Sequence, residues 1–282
     1  MSIPAAKLTL PELAAMKRRG EKIVMVTAYD APGARFAEDA GIDVVLVGDT
    51  AAMVVLGHAG TTPVTVDEML FLTRTVARQV HRPIVVGDLP FGSYETSDED
   101  AVRTAVRFVK EGGADIVKLE GAGPMVSRAR AIVDAGIAVM GHVGLTPQSA
   151  TKLGGFKTQG RTADAAQRIV DGAKQLEDAG CSALVLEAVP SPVAARITET
   201  LSIPTIGIGA GVACDGQVLV YHDLLGLSEG HLPRFVKRYA NLSAEIRDAL
   251  TAYASEVRSG AFPEEQHAYA MPEEERAAFE SA

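Results

Sequence analysis

Tryptophan is absent from this 282-residue chain, and aromatic residues make up only 5% of it. A core with so few large rings must be built from Val, Ile, Leu and Ala, which suits parallel strands covered on both faces. The two cysteines, Cys181 and Cys214, are too few for a disulfide framework or a Cys-rich zinc site, and they point to a reducing compartment. Positive charge is in deficit, with 27 Lys and Arg against 36 Asp and Glu and a net charge of −9. That balance argues against nucleic acid or an anionic membrane as a partner, leaving only a local basic pocket for anionic ligands. No apolar run approaches the roughly 18 residues of a membrane span, and the first residues lack a secretory leader's apolar stretch, so the expected location is cytoplasmic.

What is present is a rhythm. Short apolar runs at 23–27 (IVMVT), 44–47 (VVLV), 84–86 (IVV), 116–119 (IVKL), 137–140 (IAVM), 183–186 (ALVL), 205–208 (TIGI) and 218–221 (VLVY) alternate with amphipathic stretches. Each run has the length of a strand. The helices between them carry start signals: Thr9 with Glu12, Thr65 with Glu68 and Thr96 with Glu99 each fit a capping box, and Ser191 before Pro192 reads as a cap followed by a first-turn proline. Gly112, Gly113, Gly136 and Gly180 fall where helices should stop. Eight strands alternating with helices predict a parallel α/β fold, and eight is the number that closes a (β/α)₈ TIM barrel. An open doubly wound sheet fits the same alternation, and the eighth run follows the seventh too closely for a full helix between them. The expected organisation is one barrel domain over 1–282 with an acidic tail from about residue 263.

The chemistry gathers where these runs end. Asp49 follows VVLVG, Asp88 follows IVVG, Lys118 and Glu120 end IVKLE, His142 follows IAVMG, Glu187 ends ALVLE, and Gly207, Gly209 and Gly211 surround the end of the seventh run. Singly, each has a plain reading: an Asp after a strand usually caps a helix, a Lys runs its stem along the surface, a His is a hydrogen-bonded structural residue. Together, in a parallel barrel, they converge on the face where such barrels build active sites. Carboxylates crowded in a partly dry mouth repel one another, and without thiolates a hard cation such as Mg²⁺ is the simple remedy. Familiar motifs fail. GIGAGV from Gly207 lacks the third glycine of a dinucleotide fingerprint, and there is no P-loop, no H-E-x-x-H and no G-x-S-x-G elbow. Neither cysteine ends a strand beside a histidine. His58, His81, His222, His231 and His267 are scattered, and His81 and His267 read as surface residues.

The runs Val47-Gly-Asp-Thr50, Asp88-Leu-Pro-Phe91, Lys118-Leu-Glu-Gly121, Gly141-His-Val-Gly-Leu-Thr-Pro-Gln-Ser149, Gly154-Gly-Phe-Lys-Thr-Gln-Gly160, Gly207-Ile-Gly-Ala-Gly211 and Asp215-Gly-Gln217 together resemble the ketopantoate hydroxymethyltransferase family. The similarity runs from Thr27-Ala-Tyr-Asp30 through Gly230-His-Leu-Pro233 to Pro263. The resemblance implies a (β/α)₈ barrel that moves a one-carbon unit from 5,10-methylenetetrahydrofolate to 3-methyl-2-oxobutanoate through a Mg²⁺-stabilised enolate, in pantothenate biosynthesis. It implies Asp49, Asp88 and Glu120 as metal ligands, and Asp49, Thr50, Asp88, Lys118 and His142 at the substrate. Glu187 would be the base. It also implies a cytoplasmic homo-oligomer, often a decamer. Two positions depart from the family's pattern: Thr50 replaces a serine, keeping the hydroxyl, and Val212 stands where a polar residue is common. The alternative on the same carboxylates is a Mg²⁺-dependent 2-oxo-acid lyase or mutase of the isocitrate lyase and phosphoenolpyruvate mutase type, whose catalytic K-K-C-G-H loop is absent here.

Overall fold

The structure is a computed structural model that describes residues 6–228, 230 and 232–282. Eight strands, β1 (Ile23–Thr27), β2 (Val44–Val47), β3 (Ile84–Asp88), β4 (Ile116–Lys118), β5 (Val139–Gly144), β6 (Ala183–Glu187), β7 (Thr205–Ile208) and β8 (Gly216–Leu219), form a closed barrel in chain order. Every neighbouring pair is parallel, and β8 closes on β1. The open-sheet alternative is thereby excluded. Alternate residues of the strands build two cores. Ile23, Met25, Val44, Leu46, Ile84, Val86, Ile116, Met140, Val185, Ile206 and Val218 fill the barrel's inside, joined by Leu13 and Met16 from the Leu10–Arg19 helix. The other face of the strands, with Val45, Val47, Val85 and Val117, packs against Met69, Phe108, Ile132, Leu176 and Ile197 of the surrounding helices.

Five strands differ from the sequence expectation: glycine is the reason in three, and the fourth strand simply stops one residue early, at Lys118. Gly87 was expected to follow the third strand, yet a Cβ there would lie 2.6 Å from the Phe108 ring, so it is a strand position against which a helix packs. Gly141 is likewise inside β5, where a Cβ would sit 2.8 Å from Leu184 and 3.0 Å from Leu176. Gly216 opens β8 two residues early, its missing side chain admitting the Ile23 carbonyl of β1. The sixth strand runs on by one residue and takes in Glu187.

Among the caps, Thr65 and Glu68 make the full reciprocal box, and Thr9 accepts from the Glu12 N–H. The third start is a single cap one residue later and not a reciprocal box: Ser97, not Thr96, accepts from the Asp100 N–H at 3.0 Å, while the Thr96 hydroxyl donates to the Asp100 carboxylate. Ser191 is the first residue of the Ser191–Thr200 helix rather than its cap, that place being taken by Pro190. β7 and β8 are joined without a helix. Beyond β8, the Leu242–Ser259 helix has no buried residue, and the tail forms an exposed Glu273–Glu280 helix. His81 and His267 are exposed; His231 lies outside the described residues. No helix among the described residues is long and apolar enough to cross a membrane.

Candidate active site

Period-two alternation places the polar groups. Val86 and Asp88, Ile116 and Lys118, Met140 and His142, and Val185 and Glu187 are successive inward positions of their strands, so the apolar inner core turns ionic at its C-terminal end. Asp49 stands two residues beyond β2, and Glu120 two beyond β4. Asp49, Thr50, Asp88, Lys118, Glu120, His142 and Glu187 all line one inner pocket of about 40 Å³, room for an ion or a few waters. It adjoins an outer cavity of about 1120 Å³ walled by Met53, Leu145, Val189 and Phe235, among others. The structure thus brings together all seven residues singled out from the sequence. Val212 is 86% exposed and lines neither space.

The contacts form a chain. Lys118 Nζ donates to Asp88 Oδ1 at 2.7 Å and Oδ2 at 2.9 Å, and the Asp49 N–H donates to Asp88 Oδ2 at 3.1 Å. Lys118 Nζ also lies 3.6 Å from Glu120 Oε1. His142 stands between two carboxylates, Nδ1 3.3 Å from Glu120 Oε1 and Nε2 3.3 Å from Glu187 Oε2, as ion-pair contacts rather than formed hydrogen bonds. The Lys118, Glu120 and His142 side chains are at most 4% exposed, whereas that of Glu187 is 16% exposed.

Burial and like charge act together on these groups. Burial first, then the neighbouring Asp88 and Glu120, hold the Asp49 carboxyl well above the usual carboxylate range. Asp88 is also pushed up by burial, with Lys118 opposing. Burial works against the Lys118 ammonium, but Asp88, Glu120 and Asp49 outweigh it and the net shift is upward. Glu120 is held low despite its burial because Lys118 and His142 face it. For His142, burial and Lys118 favour the neutral ring, yet Glu120 and Glu187 win and raise it to about 9.

Four carboxylates therefore face only two cations. The donor set is hard oxygen, Glu120 Oε1 is buried with no hydrogen-bond partner, and Asp49 resists ionisation without a further positive charge. Those features fit a divalent ion held by Asp49, Asp88 and Glu120. Lys118 serves Asp88 as its counter-charge, and among the described residues no three His, Cys, Asp or Glu side chains converge as a finished ion cage.

Sequence reasoning passed over two residues. Gln148 is buried and donates from Nε2 to Asp49 Oδ2 at 2.9 Å and to the Leu89 carbonyl at 3.0 Å. Tyr94, also buried, donates from Oη to Gln148 Oε1 at 2.5 Å and accepts from the Glu120 N–H at 3.1 Å. Gln148 lay in a motif already noted, but a neutral amide carries no charge signal, and Tyr94 lies outside every quoted run.

The model of the ketopantoate hydroxymethyltransferase family matches residues 7–265. The chain is 57% identical to 3-methyl-2-oxobutanoate hydroxymethyltransferase of Moorella thermoacetica, over 94% of this chain and 98% of that one. It is 54% identical to the mitochondrial 3-methyl-2-oxobutanoate hydroxymethyltransferase 1 of Arabidopsis thaliana, over 94% of this chain and 78% of that one. Among solved structures it resembles phosphonopyruvate hydrolase, with TM-score 0.60 and 14% identity over 96% of this chain and 95% of that one. It also resembles 2,3-dimethylmalate lyase, with TM-score 0.59 and 16% identity over 92% and 91%. The solved structures share the fold; the sequence matches are the closer kinship, and by them the chain belongs to the ketopantoate hydroxymethyltransferase family.

Proposed function

We propose that the protein transfers a one-carbon unit from 5,10-methylenetetrahydrofolate to 3-methyl-2-oxobutanoate, with water supplying the hydroxyl oxygen, to give 2-dehydropantoate and tetrahydrofolate on the way to pantothenate. The observation that carries this reading is the place of Glu187. Among the described residues, it is the one ionisable side chain that borders both the anionic inner pocket and the outer cavity. A base so placed takes a proton from a small acid held inside and faces a larger donor held outside.

The reaction needs a carbanion equivalent at C3 of the 2-oxo acid. With a gap of roughly ten pKa units between such a C–H and a carboxylate, proton transfer is uphill by about 14 kcal/mol. Asp49, Asp88 and Glu120 would hold Mg²⁺, which when bound supplies Lewis-acid polarisation of the 2-oxo acid. Lys118, protonated and buried, adds positive charge where negative charge develops. Thr50, lining both spaces, offers its hydroxyl and backbone to the substrate carboxylate. His142 steadies Glu120 and Glu187 from between. Glu187 accepts the C3 proton, an effect typically worth 10²–10⁴-fold. Water releases the methylene carbon as formaldehyde, both C–N bonds breaking and the folate nitrogens taking up the two protons of that water. The electron pair left on C3 forms the new C–C bond to that carbon, and its oxygen takes back the proton held by Glu187 to become the hydroxyl. Leu145, Val189 and Phe235 keep the outer cavity's wall apolar and limit wasteful reprotonation.

The lyase or mutase alternative has no support in the thiols. Cys181 is buried before β6, at the barrel's other end, and burial pushes its thiol up to about 12. The cytoplasmic, homo-oligomeric and decameric character implied by the family remains part of the proposal. An uncovered apolar row on the Leu242–Ser259 helix supports assembly with further copies. The test follows deuterium at C3 of labelled 3-methyl-2-oxobutanoate, with and without Mg²⁺ and with and without methylenetetrahydrofolate. Exchange that needs Mg²⁺ but not folate, and 2-dehydropantoate formed only with folate, are the expected results. Cleavage of a 2-oxo acid without folate favours the lyase.

A further inference from the structure

Around the carboxylates, one neutral side chain has every hydrogen-bonding group engaged. Both hydrogens of the Gln148 amide have carbonyl or carboxylate acceptors, Leu89 O and Asp49 Oδ2, so that end of the side chain is the nitrogen. Its oxygen accepts from Tyr94 Oη at 2.5 Å. Tyr94 is itself fixed, because its hydroxyl accepts from the Glu120 N–H. The Gln148 backbone N–H completes the circuit by donating to Glu120 Oε2 at 3.0 Å. One residue thus grips one oxygen of Asp49 and one of Glu120, which follow different strands, and leaves Asp49 Oδ1 and Glu120 Oε1 without hydrogen bonds from the described residues.

We infer that Gln148, locked by Tyr94, is a positioning residue that selects which oxygens of Asp49 and Glu120 remain free for the divalent ion. The inference rests on reading these carboxylates as ion ligands. The amide suits the task better than an ammonium or a carboxylate, since it fixes an Asp oxygen without adding charge to a crowded site. It also joins the loop after β5 to the ends of β2 and β4, so the geometry of the free oxygens depends on the packing of that loop.

Mn²⁺ serves as the probe, titrated by electron paramagnetic resonance on the full chain without substrates, with thermal melting followed by circular dichroism. Gln148→Leu, similar in size but without the amide, should keep a cooperative melt and bind Mn²⁺ 10–100-fold more weakly. Tyr94→Phe, which leaves the amide but frees its orientation, should weaken binding in the same direction by a smaller factor. Both should lower kcat while leaving KM for methylenetetrahydrofolate near wild type, a split that general loosening of the barrel would not give. A folded Gln148→Leu variant that binds Mn²⁺ within twofold of wild type overturns the inference. Should that variant not fold, unchanged Mn²⁺ affinity in Tyr94→Phe overturns it. A wild-type chain that takes up no Mn²⁺ brings down the ion reading itself, and this inference with it.

Discussion

Glu187 is set by its backbone before its side chain does anything. It ends β6, and the next residue, Ala188, has φ of 47°, the only non-glycine among the described residues in the left-handed region. An L-residue held there stores about 1 kcal/mol of steric strain. The strain is held by the Ala188 N–H donating to Ile208 and the Ala188 carbonyl accepting from Gln159. The turn ends the strand at Glu187 and leaves its carboxylate at the seam of the two spaces. Glu187→Gln keeps the shape and removes the proposed base. It should retain binding of Mg²⁺ and of 3-methyl-2-oxobutanoate within a few-fold, measured calorimetrically, and lose C3 exchange by at least about 10²-fold. Wild-type exchange in that variant removes Glu187 from the role. The residues bearing charge were legible in the sequence because each ends or follows an apolar run. Gln148 and Tyr94 were not, since a neutral group declares itself only through the partners that folding brings to it.

At the scale of elements, β5 and β6 meet more closely than side chains permit. Gly144 ends β5 with φ of 99°, and a Cβ there would lie 2.2 Å from the Glu187 carbonyl oxygen and 2.6 Å from Val189. Gly144→Ala therefore strains its own backbone and pushes Glu187 out of place. We expect a stability loss of about 2 kcal/mol or more by denaturant titration, with activity falling further than stability alone explains. Full activity in a stable Gly144→Ala protein would show that the close approach is not needed. The same residues explain where the strand pattern was readable. β1, β2 and β7 have the boundaries their apolar runs suggest, whereas β3, β5 and β8 contain Gly87, Gly141 and Gly216, which look like turns in a sequence. Their meaning lies in what packs over them, Phe108, Leu176 and Ile23, and that is nonlocal.

A second element joint is electrostatic. Glu177, near the end of the Ala163–Asp178 helix, accepts from Lys174, from the Ser202 N–H and hydroxyl, and from the Ile203 N–H, tying the helix to the turn before β7. Burial opposes its charge, but the hydrogen bonds from Lys174 and Ser202 outweigh that and hold its pKa at about 2. A carboxylate depressed in the folded state stabilises the fold above its unfolded pKa, near 4.5, and loses that contribution as pH falls toward 2. Glu177→Gln should thus be less stable than wild type by about 2 kcal/mol at pH 7. The gap should narrow between pH 5 and 3 in denaturant titrations. A gap independent of pH would mean the carboxylate's charge contributes nothing.

For the whole molecule, single large apolar side chains such as Phe36 and Phe71 stay exposed around the barrel, and beyond β8 one helix carries a whole row of them. Ile246, Leu250, Tyr253 and Val257 stand on the Leu242–Ser259 helix at helical spacing, each 47–61% exposed, and none touches a core. An amphipathic helix keeps such a row where something covers it. A second copy of the chain is the occupant the family resemblance implies, and the net charge of −9 makes an apolar seam a better joint between copies than an ionic one. Leu250 and Tyr253 have only about 60% of their surface left to bury, so covering both contributes about 2–4 kcal/mol per contact. Replacing Leu250 and Tyr253 together with Asp should therefore weaken assembly by at least about 100-fold. Light scattering behind size exclusion should find the wild type as a multi-subunit particle and the double variant as smaller species, with an unchanged circular dichroism spectrum. If the double variant keeps the wild-type mass, the row is not the joint. If the wild type runs as a single chain, the row is exposed in solution and the oligomer proposal falls.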